Sequence, residues 1–170
     1  MIRSRLLWVV CLMLASVEVV ACSFSGSPVF KVGRARMNAS EGKAETLTLM
    51  RVNFIPAISG MGSCDGTGLI TVQVRSDRGG KRHFKQRGIL VSPLAENPGK
   101  AYLPAKPLKP YVDEDGAASI TWAWGTPPPA DKDRYWRWSF SVRTIDRSGV
   151  LGEPIEVCAS TDHSCELAGH

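Results

Sequence analysis

The sequence predicts an all-β protein, a single antiparallel β-sandwich of about seven strands, over roughly residues 45–160. Three observations predict it. Short stretches alternate strictly between apolar and polar residues, the period of a half-buried strand. Gly, Pro and Asp clusters bound each stretch at turn-like spacing. No stretch sustains a 3.6-residue apolar period, so helices are short at most. The composition agrees: 170 residues, 44% apolar, with 16 Gly and 11 Pro, enough chain for one core and many turns.

Taken in order, Thr46 to Phe54 is β-rich and stops at Pro56. Leu69 to Arg75 sets Ile70, Val72 and Val74 against Thr71, Gln73 and Arg75, one face buried and one wet. Gly79-Gly80 then signals a hairpin, with His83 to Ser92 as the returning strand. Residues 93–110 carry Pro93, Pro98, Pro104, Pro107 and Pro110. Such a stretch is a long edge crossing with strand fragments at most, because proline cannot donate to a ladder. After the turn Asp113–Gly116, the residues Ala118, Ile120, Trp122 and Trp124 share one strand face. Tyr135 to Asp146 is the longest strand, with Trp136, Trp138, Phe140 and Val142 on one side. Ile155 to Ser160 closes the set.

The N-terminus reads as a signal peptide over residues 1–21: basic Arg3 and Arg5, a ten-residue apolar run from Leu6 to Ala15, then small residues. The run falls short of the ~20 residues that span a bilayer. Val19-Val20-Ala21-Cys22 resembles a bacterial lipobox, in which the cysteine becomes the first mature residue and carries a lipid. That resemblance implies lipidation at Cys22 and a place in the bacterial cell envelope. Ordinary cleavage near Ala21, leaving a periplasmic or secreted protein with Cys22 free for a disulfide, is the competing reading. Residues 22–44 are small, polar and basic and read as a flexible tether, and 161–170 as a C-terminal tail.

Tyr135–Asp146, followed by Ser148-Gly149 and Glu153-Pro154-Ile155-Glu156-Val157, resembles the last strands of a fibronectin type III or related immunoglobulin-like domain. Ile120-Thr121-Trp122 resembles the strand carrying an inward Trp. The Trp residues of this chain's domain all lie late, whereas the family's core Trp lies early. The family performs varied binding tasks, so the fold alone implies no ligand.

The cysteines left for pairing are Cys64, Cys158 and Cys165, with Cys22 if it is not acylated. Cys64–Cys158 would tie distant strands, and Cys158–Cys165 would close a short C-terminal loop. A metal reading of Cys158, His163 and Cys165 lacks a fourth ligand at zinc spacing. No cofactor is expected.

Two surfaces are candidates for binding. Trp122, Trp124, Trp136 and Trp138 are core residues on the plainer reading. Four Trp would overfill a small sandwich, however, so a rim platform built from the 118–124 and 135–142 strands is the functional one. Residues 75–87 hold Arg75, Arg78, Lys81, Arg82, Lys85 and Arg87 against Asp77 alone. That net +5 exceeds the +4 left to the chain once the leader is gone. The plainer reading is a solvated turn that blocks edge pairing. The functional one is contact with an anionic partner (lipid headgroups, lipopolysaccharide or acidic glycans), chiefly through Arg78, Lys81 and Arg82. Asp113-Glu114-Asp115 is a solvated turn rather than a calcium loop.

No nucleophile elbow, metal-spaced His pair or phosphate loop is present in the sequence. The expectation is therefore a non-catalytic binding or scaffolding protein of the bacterial envelope, probing an envelope protein or glycan and not nucleic acid. The alternative is a secreted, hydrolase-like enzyme with a loop-built site. Its mark would be a concave pocket holding His83 or His163 beside Ser, Cys or a carboxylate.

Overall fold

A computed structural model describes residues 25–33, 45–56, 67–94, 100–125, 135–162 and 164–165. The leader, Cys22, Cys64, His163 and residues 34–44 lie outside the described residues.

Among the described residues, seven strands form two antiparallel sheets. They are β1 (Leu47–Ile55), β2 (Thr67–Ser76), β3 (Arg87–Pro93), β4 (Tyr111–Val112), β5 (Ala118–Gly125), β6 (Arg137–Asp146) and β7 (Ile155–Ser160). One sheet runs β1-β2-β5-β4 and the other β3-β6-β7. The protein is thus the antiparallel β-sandwich that the alternation predicts. Ile70, Val72 and Val74 point inward from β2 and are fully buried, and their register places Ile70 against Trp122 and Val72 against Ile120 of β5. From the second sheet, Trp138, Phe140 and Val142 of β6 meet them.

The chain does not make the Gly79-Gly80 hairpin. Gly79 sits at φ 109°, and the chain then enters a one-turn helix, α1 (Lys81–Phe84). From there β3 joins the other sheet, pairing with β6 instead of returning along β2. A side chain at Gly80 would strike the backbone of Gly116, which itself sits at φ 81° in the β4–β5 turn. The two turns pack backbone to backbone, and that contact is what the pair of glycines serves. Phe84, fully buried, roots α1 in the core.

The proline-rich crossing behaves as its composition dictates. A 3₁₀ turn covers Lys100–Tyr102, and Leu108 forms only isolated bridges, to Ile89 on one side and Val29 on the other.

Residues 25–33 correct the tether reading. They lie along the sandwich as a strap. β4 covers only Ala118 and Ser119 of β5, and Ser27 occupies the flank beyond it: its N–H donates to Thr121 O (2.7 Å) and its Oγ accepts from Thr121 N (2.9 Å). Lys109 N donates to Pro28 O and Phe30 N to Pro107 O. Phe30 is buried over Gly88, where any β-carbon would collide with its ring. Gly33 N reaches Arg147 O (2.7 Å). The strap therefore gives partners to backbone groups that a two-residue edge strand leaves open.

Candidate functional site

The four Trp residues do not make a platform. β5 and β6 lie in opposite sheets, so their Trp-bearing faces meet each other instead of forming one surface. Trp122, Trp124 and Trp138 are 6%, 3% and 1% exposed. Trp124 packs edge-on against Trp138 at 4.8 Å between ring centres, and Trp122 against Phe140 at 5.7 Å. The volume that four Trp demand is found by leaving out a side chain at Gly68, directly beneath the Trp124 indole. Phe54 and Tyr102 complete the cluster, Tyr102 stacking on Trp138. Trp136 is half-buried at its margin, edge-on to Trp124. These rings are committed to the interior, and Trp122, Trp124 and Trp138 present no face to a ligand.

Cys158 and Cys165 are bonded to each other, seven residues apart, which closes the C-terminal loop. Their sulfurs are then not available as metal ligands, and among the described residues no group of His, Cys, Asp and Glu could hold a metal ion. The described tail residues are hydrogen-bonded: Thr161 N donates to Trp136 O, and Ser164 donates to Asp162 from both its hydroxyl and its amide. These bonds, the hydroxyl first, hold the Asp162 carboxyl down at about 2 from its ordinary 3.8.

The most organised polar cluster centres on Glu45, a residue that no sequence pattern marks. It precedes β1 and is 3% exposed. Its Oε1 accepts from Ser76 Oγ (2.5 Å) at the end of β2 and from His83 Nε2 (2.6 Å) in α1. Its Oε2 accepts from Thr144 Oγ1 (2.8 Å) in β6 and faces Arg87 Nε (3.4 Å) at the start of β3. Its backbone oxygen accepts from Glu153 N (2.8 Å). One carboxylate thus joins both sheets and the helix at one end of the sandwich. A buried carboxylate is tolerated only with such a complement of donors.

Over this cluster opens a groove of about 370 Å³, lined by Arg82, His83, Gln86, Arg87, Asp146, Arg147 and Ser148. Asp146 is occupied with its own turn, accepting from Ser148 N and Val150 N. Arg87 leans on Glu45. Arg82 and Arg147 are exposed and form no salt bridge among the described residues. The basic stretch 75–87 is thus divided. Arg82 faces the groove; Lys81 is exposed on α1; and Arg78 lies in the preceding turn, its amide donating to Ser76 Oγ. Chemically, the groove offers guanidinium groups around a His whose Nε2 is already bound to Glu45. That arrangement suits an oxyanion.

No family model, curated protein or solved structure matches this chain.

Proposed function

We propose that this chain is a non-catalytic binding or scaffolding protein of a bacterial cell envelope, lipid-anchored through Cys22, and that its groove takes an anionic group of its partner. The observation that carries the reading is the groove itself: Arg82 and Arg147, without salt-bridge partners among the described residues, flank His83 over a carboxylate already saturated by its own donors. The leader supports export, and a Cys158–Cys165 bond is the kind that persists outside a reducing cytosol. Lettered A to G, the strands divide as A-B-E-D and C-F-G. This is the division of an immunoglobulin constant-type sandwich, which supports the resemblance in the C-terminal strands.

Two experiments test it. A clickable fatty acid should label the wild type and not Cys22→Ala; equal labelling, or none, removes the anchor. A photo-crosslinking residue at position 82 should give a discrete envelope adduct that Arg147→Glu suppresses. The same residue at position 51, in β1 and outside the groove lining, should not. Identical patterns from the two positions reject the groove.

One observation favours a second reading, the hydrolase-like enzyme. His83 lies in a concave groove and bonds a carboxylate, as a base–orienter pair does. Turnover of simple ester or phosphoester substrates by the wild type, abolished in His83→Gln, would establish it. Equal residual rates in the two proteins dismiss it.

A further inference from the structure

The strap creates a second concavity, which shares Arg147 with the groove over Glu45. Val29, Lys31 and Val32 of the strap line it together with Lys85 after α1, Lys109 of the crossing and Arg147 of the β6–β7 turn; its volume is about 460 Å³. All four cations are exposed, and no carboxylate lines the site. None of the four forms a salt bridge among the described residues. Val29 and Val32 are 53% and 37% exposed. Phe30 turns inward over Gly88, so its neighbours Val29 and Lys31 point outward, and Val32 is exposed after them. Apolar side chains set among unpaired cations suit the boundary between headgroups and acyl chains of an anionic bilayer.

Chain length points to the same occupant. Ser25, the first described residue, follows Cys22 by three positions. A fully extended chain covers at most ~3.6 Å per residue, so the docked strap begins within about 11 Å of any lipid on Cys22. A free tether would let the sandwich sample every orientation. A strap held by Thr121, Pro107, Lys109 and Arg147 does not.

We infer that the face formed by Val29, Lys31, Val32, Lys85, Lys109 and Arg147 docks directly on an anionic phospholipid surface, laying the sandwich on the membrane with its strap edge down. This rests on the envelope reading above but not on acylation. One lipid gives only marginal membrane binding, and a basic apolar patch is the kind of second signal that makes it stable.

The test uses protein exported from its host as Cys22→Ser, so that no lipid is attached. It is floated with vesicles of pure phosphatidylcholine or of mixed phosphatidylcholine and phosphatidylglycerol. Binding to the mixed vesicles alone, weakening as salt rises, is expected. Lys31→Gln with Lys109→Gln should lower the partition coefficient about 30-fold, at ~1 kcal/mol for each cation near the surface. Arg51→Gln with Arg75→Gln, an equal charge change on exposed positions of β1 and β2, should leave it within about twofold, because neither residue lines this face. Circular dichroism checks that each variant keeps the β-sandwich. Absence of binding to mixed vesicles, equal binding to both compositions, or an equal loss in the two double variants overturns the proposal. Failure of fatty-acid labelling at Cys22 with vesicle binding intact overturns the anchor and leaves this face standing.

Discussion

Replacing Glu45 by Ala removes the acceptor for donors from four elements at once. Ser76 Oγ and Thr144 Oγ1 are both buried, and each loses its partner on Glu45. A buried donor left unsatisfied costs ~1–3 kcal/mol. Arg87 and His83 are partly exposed, so water recovers much of what they lose and their share is small. The expected total is about 3–5 kcal/mol, the range for breaking a buried charged pair by deleting one partner. Against a typical domain stability of ~5–15 kcal/mol this is a large fraction. Urea unfolding followed by Trp fluorescence reads it directly, because Trp122, Trp124 and Trp138 are buried. With a urea slope of ~1–3 kcal/mol/M, the midpoint should fall by roughly 2 M at unchanged slope. Glu45→Gln keeps the volume and one acceptor oxygen, and should lose about half as much. A double-mutant cycle with Thr144→Val isolates the 2.8 Å bond and should show coupling of at least ~0.5 kcal/mol. Should Glu45→Ala unfold within about 1 kcal/mol of the wild type, the cluster is not the link between the sheets that its geometry describes.

Three further outcomes follow from particular contacts. Gly68→Ala drives a methyl into the Trp124 indole and should destabilise by ~1–3 kcal/mol, measured as a lower urea midpoint. Trp124→Ala should cost ~3–5 kcal/mol of stability, as a core truncation does, so loss of ligand binding in that variant would report unfolding and must be checked by its melting temperature. Asp162, depressed in the folded chain, should titrate with a midpoint of about 2 by carboxyl NMR. Its bonds to Ser164 are fully made above its ordinary value and lost as pH falls through that midpoint, so Ser164→Ala should move the midpoint back toward 3.8.

Much of the fold was legible because the information was local. Ile70-Thr71-Val72-Gln73-Val74 declares its two faces without reference to any other segment, and Ile155 to Ser160 does the same. What escaped was set by distant partners. Gly79-Gly80 looks like a hairpin by itself; only Gly116, in another turn, explains why the chain leaves the sheet there. The strap reads as a linker because Ser25 to Pro28 is turn-like in composition, and only the outward–inward–outward run Val29, Phe30, Lys31 hints otherwise. Glu45 carries no signal at all: its side-chain donors sit between 31 and 99 residues away. The Trp residues were legible as inward, but their number could not be reconciled with the core until the space over Gly68 was known.

The strap also orders events in time. Its residues precede everything else in the domain, yet Ser27 finds its partner 94 positions later, in β5, and Gly33 finds its own at Arg147. A chain delivered N-terminus first therefore carries its edge seal unused until five strands exist to receive it. Contacts of such sequence separation form slowly, because the intervening loop must first be closed. Until then the flank of β5 beyond β4 stands open to any extended segment nearby. Newly made chains pass through an interval in which another molecule's strap could take that place, an exchange that the finished domain forbids.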